Sequence, residues 1–190
     1  MKLKEMLLRY VPYNEQEAVD KEMMMTLLDE KSLHRTQLFA HWTSSAIVVN
    51  ETLDKVLFAF HNIYQSWSWV GGHNDGDDDP LYVALKEASE ETGVEGLRPL
   101  LEDIFMIDVI YVPHHVKRGR YVSDHLHLNT AFLLVADEQS PLFVKEDENS
   151  GVRWFKLEEV FDHISEDRMI PVYRKALAKI QAFQSAQPSR

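Results

Sequence analysis

The chain has 190 residues, 45% of them hydrophobic, a formal net charge of -11 and no cysteine. That length suits one domain with an added terminal piece, and the apolar share is enough for a full core. The acidic balance argues against broad, salt-driven nucleic-acid binding, and the missing thiols exclude disulfides, zinc–thiolate sites and cysteine nucleophiles.

The opening MKLKEMLLRYVP holds too short an apolar run for a signal peptide, and no stretch is long enough to span a membrane. A soluble, cytoplasmic protein without a membrane partner is therefore expected. Leu3, Met6, Leu7 and Tyr10 recur at helical spacing until Pro12 breaks the segment. A second helix is predicted over about 14–31. Its Met23, Met24, Met25, Leu27 and Leu28 form an apolar band, and methionine's adaptability makes this packing rather than a ligand site. Residues 1–40 thus read as an N-terminal helical extension that caps a following domain or makes a homodimer contact.

From residue 41 the period changes. Residues 41–50 (HWTSSAIVVN) and 55–61 (KVLFAFH) are rich in β formers, and the turn between them predicts a hairpin. Residues 66–70 form a short strand that leads into a glycine loop. Asp79 and Pro80 start a helix, because Asp caps orphan amides and Pro fits the first helical position. Leu81, Ala84, Leu85 and Ala88 give it a buried stripe, and Gly93 stops it with a left-handed cap. Beyond lie a bulged strand over 100–112, a loop over 113–123, and a strand over 125–136 that reads as central from its continuous apolar half. A further strand at 154–155, a short helix over 157–164 and a terminal helix over 171–183 complete the chain. The fold class is α/β, a mixed sheet between helices, with residues 41–190 as the main domain, its core at about 41–165 and its C-terminal helix at about 170–184.

The stretch 69–94 carries the chemistry. Gly71 and Gly72 let backbone approach a ligand closely. Glu87, Glu90 and Glu91 crowd one sector of the last helical turns, where like charges repel and also oppose the helix dipole. A hard divalent cation turns that repulsion into ligation. Lys86 stands four residues before Glu90, at ion-pair spacing. Taken alone, such glutamates are more often a solvated helix face. Their spacing, however, resembles the signature of the Nudix hydrolase family. Gly72, Glu87, Glu90, Glu91, Gly93 and Val94 match it. Asp78 replaces a Glu, Lys86 an Arg, Ala88 a larger aliphatic residue, and Val70 the usual Pro before the glycines.

The resemblance implies an α/β/α sandwich over about 40–165 and Mg²⁺- or Mn²⁺-assisted attack of water on phosphorus. It implies that Glu87, Glu90 and Glu91 bind metal or act as base, with the Gly71 carbonyl as a further ligand. The implied substrate is a small molecule, a nucleoside diphosphate linked to another group. A further carboxylate often comes from the loop before the last strand. Of Glu146, Asp147 and Glu148, Glu148 is the candidate ligand or base, weighed evenly against a plain solvated loop. Glu87, Glu90 and Glu148 are thus the candidate catalytic residues.

Substrate contacts are fainter. His114, His115, Lys117, Arg118 and Arg120 are a basic cluster that could meet phosphates, with Tyr111 or Tyr121 stacking on a base. An ordinary exposed loop is the blander and better-weighted reading. Lys86 and His73 are further substrate candidates, and the segment holding His73 and Asp75 resembles a GGHxDGD variant found in some bacterial Nudix sequences. His125 and His127 share a strand face and could ligate metal, but two histidines without a placed third partner are more often surface or polar-core residues. Trp67 and Trp69 read as core packing before pocket wall. Two other readings compete. A diphosphate isomerase of the isoprenoid type shares the fold but usually relies on a cysteine that is missing here. A nucleotide-binding or sensor module gains weight from Lys86, Asp78 and Val70 and loses it to the three retained glutamates.

Overall fold

A computed structural model describes residues 1–117 and 119–186. Two N-terminal helices, α1 (Lys2–Arg9) and α2 (Glu15–Leu27), precede β1 (Ala40–Val49), β2 (Lys55–His61), β3 (Ser66–Ser68) and β4 (Val70–His73). Helix α3 (Pro80–Thr92) follows, then β5 (Arg98–Pro99), β6 (Met106–Val112), β7 (His115–Lys117), β8 (Arg120–Val122), β9 (His125–Val135) and β10 (Asn149–Lys156). Two 3₁₀ turns, Val160–His163 and Asp167–Met169, lead into α4 (Ile170–Ala186).

Eight strands share a sheet in the order β10-β2-β1-β9-β5, with β3 beside β2, β4 beside β1 and β6 beside β9. The sheet is mixed because β1 runs parallel to β9, from Ala40 opposite Leu126 to Val49 opposite Val135. Every residue of β1 is buried, which explains the unbroken apolar run of its second half, Ala46, Ile47, Val48 and Val49. One face of the pair, with Trp42, Val48, Leu128 and Phe132, packs on Leu3, Leu7, Met24, Ala84 and Ala88 of α1, α2 and α3. The other, with Ile47, Val49, Leu133 and Val135, packs on Tyr173, Ala176, Leu177 and Ile180 of α4. The result is the expected α/β/α sandwich, with the N-terminal helices sharing its first core. Among the described residues, no helix is long and apolar enough to cross a membrane.

A buried ionic network ties the layers together. Glu17 on α2 is fully buried and accepts from the Tyr10 hydroxyl at 2.6 Å and the Tyr13 amide at 2.7 Å. Lys175 on α4 reaches Glu17 at 3.0 Å and Asp108 on β6 at 2.8 Å. Burial drives both carboxyls upward. For Glu17 the hydrogen bonds from Tyr10 and Tyr13 and the charges of Lys175 and Lys179 outweigh it and hold the group below its ordinary value. Asp108 remains pushed up to about 7.

Several boundaries differ from the sequence expectation. Helix α2 ends at Leu27 because Asp29 and Ser32 close a turn, with Ser32 N–H on Asp29 Oδ1 at 2.7 Å and Ser32 Oγ on the Asp29 carbonyl at 2.7 Å. The stretch 100–112 pairs regularly only from Met106. Leu100 and Phe105 bond the Leu133 and Ala131 carbonyls, so the residues between them loop out of the ladder. The stretch 113–123, expected as a loop, contains the β7–β8 hairpin, with Gly119 in the connection at φ +75°. The glycine loop is itself strand: Gly71 and Gly72 lie in β4, opposite Ser45 and Ser44.

Candidate active site

Local chemistry sets the direction of α3. The Asp79 carboxylate accepts from the Tyr82 amide at 3.2 Å, Pro80 occupies the first turn, and Gly93 closes the helix at φ +67° with its amide on the Ser89 carbonyl. The fixed helix aims Glu87 and Glu91 at β4. There the absence of a side chain at Gly72 matters, since a Cβ would lie 2.7 Å from Glu87 Oε2. The Gly71 amide donates to Glu91 Oε1 at 3.1 Å.

Glu148 arrives from the segment before β10. Its amide and that of Asn149 both donate to the Lys145 carbonyl, at 2.8 and 2.9 Å, and the Asn149 side chain donates to the Glu91 carbonyl at 2.9 Å. Glu87, Glu91 and Glu148 each offer an oxygen, and these oxygens lie within 4.8 Å of one another. Burial pushes the Glu91 carboxyl up to about 8, against the pull of the Gly71 amide and with help from the charges of Glu148 and Glu87. Burial also raises Glu87, which Lys86 partly offsets. Glu90 stands beside this group, half-exposed, with Lys86 at 3.7 Å and Lys145 at 3.4 Å. Lys86 also reaches Glu87 at 3.4 Å, and Lys145 reaches Glu148 at 3.3 Å.

The carboxylates form one wall of a cavity of about 720 Å³. The space falls in the range of small-molecule sites, roughly 300–1,000 Å³. Of the other sequence candidates, Gly71, Lys86, His73, Lys117 and Tyr121 also line it. Arg120 is exposed and does not line it, and Arg118 lies outside the described residues. His114 turns away, stacked on Tyr121 with its amide on Asp124 Oδ1 at 2.7 Å.

The sequence reading does not single out Arg35, His41, His61, Tyr64, Lys145 or Arg168, which also line the cavity. A signal was present on β1. His41, Thr43 and Ser45 alternate along the first half of a fully buried strand, and β9 answers with His125, His127 and Asn129. The register sets His41 opposite His127 and Thr43 opposite Asn129. Thr43 and Ser45 both donate to Asn129 Oδ1 at 2.9 Å. Burial lowers the His41 imidazole, His61 to about 4 and His73 to about 3, so these rings face the cavity uncharged at neutral pH.

Known proteins share this architecture. A family model described as NUDIX domain matches residues 40–180. No curated protein matches the sequence. Among solved structures, a C. elegans Ap4A hydrolase binary complex aligns with a TM-score of 0.56 at 16% identity, covering 77% of this chain and 98% of that one. A NUDIX-family hydrolase from Clostridium perfringens gives 0.53 at 17%, covering 75% and 97%. RenU, a Nudix hydrolase from M. smegmatis, gives 0.51 at 13%, covering 80% and 91%. At these identities the likeness is one of fold, and the family match over most of the chain supplies the rest: this chain belongs to the Nudix hydrolase family.

Proposed function

We propose that the chain is a Mg²⁺- or Mn²⁺-dependent pyrophosphohydrolase that cleaves the diphosphate linkage of a nucleoside diphosphate joined to another group. The observation that carries this reading is the convergence of Glu87, Glu91 and Glu148 at the cavity wall, with Glu91 buried among like charges. An all-oxygen, carboxylate donor set fits a hard divalent cation. Glu87, Glu91 and Glu148 would hold it, with Glu90 and the Gly71 carbonyl completing the set. A metal bound there supplies charge neutralisation for the diphosphate and a more acidic water.

The remaining work falls to the chain's own residues. A carboxylate among Glu87, Glu90 and Glu148 takes the proton of the attacking water. Lys86 and His73 border the reacting diphosphate, while Lys117 and Tyr121 on the β7–β8 hairpin offer a cation and a ring for the rest of the nucleotide. Exposed Leu8, Val11, Tyr13 and Val19 support a homodimer contact through the N-terminal helices, which light scattering tests.

The test is release of phosphate or pyrophosphate from ADP-ribose, sugar nucleotides, dinucleoside polyphosphates and (d)NTPs, with Mg²⁺, with Mn²⁺ and with chelator. Turnover is expected only with metal. Glu90→Gln is expected to lower kcat by about 100-fold or more, as loss of a general base or metal-site carboxylate does. Turnover unchanged in Glu87→Gln, Glu90→Gln and Glu148→Gln overturns the assignment. The ion pairs of Lys86 and Lys145 with these glutamates favour a second reading, a nucleotide-binding module. A folded protein that binds metal and nucleotide without turnover establishes that one instead.

A further inference from the structure

A group of histidines lies along the same cavity, away from the carboxylates. His41 on β1, His73 on β4 and His127 on β9 each offer a ring nitrogen, all within 4.8 Å of one another. Their ring centroids form a nearly equilateral triangle with sides of 5.0, 5.1 and 5.1 Å. Three adjacent strands hold them, so the arrangement belongs to the sheet and not to a loop.

The orientation of His41 is decisive. A carbonyl only accepts, so the contact of His41 Nδ1 with the Gln37 carbonyl at 2.9 Å requires a proton on Nδ1. In the neutral ring this leaves Nε2 with a bare lone pair. That Nε2 is buried without a hydrogen-bond partner in a residue only 4% exposed. A ring held through Nδ1–H on a carbonyl, with Nε2 presented inward, is how metal-binding histidines are set by their outer partners. His125 is held the same way, by the Ser123 carbonyl at 2.8 Å, and its Nε2 meets His127 Nε2 at 3.3 Å. Metal–nitrogen bonds of about 2.0–2.1 Å at tetrahedral angles set neighbouring nitrogens about 3.3–3.4 Å apart. Arg35, also on the cavity wall, is forked onto Asp75 through Nε at 2.8 Å and a second short contact, so the Asp75 carboxylate partly offsets the positive charge that reaches His41 and His73.

We propose that His41, His73 and His127 form a second metal site for a borderline divalent transition ion such as Zn²⁺ or Co²⁺. The all-nitrogen donor set separates it from the carboxylate group, because imidazole suits these ions while Mg²⁺ prefers oxygen. The inference goes beyond the hydrolase reading and stands whether or not the carboxylates support turnover. His73 lies two residues along β4 from Gly71, about 7 Å of strand, so an ion there would face the same substrate space.

The test titrates Zn²⁺ and Co²⁺ into the full chain with excess Mg²⁺ present, by calorimetry and by the visible spectrum of bound Co²⁺. The proteins are wild type, His41→Ala, His127→Ala and the double variant Glu87→Gln/Glu91→Gln. One equivalent of Zn²⁺ is expected to bind wild type and the double glutamate variant alike. Each histidine variant is expected to lose more than about 100-fold in affinity, beyond the roughly 10- to 100-fold that outer partners alone cost. Should the histidine variants fail to fold, ¹⁵N-histidine NMR of wild type decides, since Zn²⁺ must shift the ring nitrogens of His41, His73 and His127. Binding that is lost in the glutamate variant but kept in the histidine variants overturns the proposal. So do ring signals that Zn²⁺ leaves unmoved, which would mark a polar cluster only.

Discussion

Glu87, Glu90 and Glu91 could be read from the sequence because helix geometry is local: three and four residues along α3 bring side chains together whatever the rest of the chain does. Glu148 could be named from its position before the last strand, but not placed against Glu91, because that contact rests on Asn149 reaching back 58 residues. Lys145 and His41 were out of reach, since their roles depend on strand register and on a segment folded over the helix end. Gly72 permits a close approach, and the group that approaches it is the Glu87 carboxylate. Gly72→Ala must displace the Glu87 carboxylate, as the added Cβ would lie 2.7 Å from Glu87 Oε2. We expect turnover to fall by about 100-fold, the scale of a 1 Å misplacement in an active site. The displaced group faces a cavity, so the melting temperature should change little. Paired kinetics and calorimetry check this, and a large drop in melting temperature with normal kcat in the surviving folded fraction would contradict it.

Helices α2 and α4 were anticipated from their periodicity, yet nothing in either predicted the charges between them. Gln16 and Lys175 touch across 159 residues, and both Lys175 and Glu17 sit among positions that should be apolar. Lys175→Met leaves Glu17 and Asp108 buried without their shared cation. The expected cost is about 3–5 kcal/mol, measured by urea denaturation. Acid should act on the same joint. Because the Glu17 value is lowered from its ordinary 4.5, its stabilisation is complete above that pH and disappears as pH falls through the lowered value. Glu17→Gln should therefore be less stable than wild type above pH 4.5, with the gap closing on acidification. A gap independent of pH would show that Glu17 contributes packing and not charge.

The molecule as a whole was legible as a mixed sheet between helices, because buried central strands and amphipathic helices leave different periods. Its N-terminal helices were read as an extension, and their side chains turn out to share the first core: Leu3, Leu7 and Met24 are wholly buried against the sheet. Removing residues 1–28 should expose that face and yield an aggregating or molten chain, judged by near-ultraviolet circular dichroism and light scattering. A truncated chain that melts cooperatively at the wild-type temperature would refute this.

The parallel pairing of β1 with β9 has a consequence for how the chain is made. Thr43 and its partner Asn129 lie 86 residues apart. At ribosomal rates of about 5–20 residues per second, β1 waits roughly 4–17 seconds for the strand that completes its hydrogen bonds. For most of that interval, once β2 and β4 have followed, a ten-residue segment destined for burial along its whole length is held beside them with one edge open. Nascent-chain pulldown should find chaperones engaged while synthesis runs between Val49 and Val135, and released once β9 emerges.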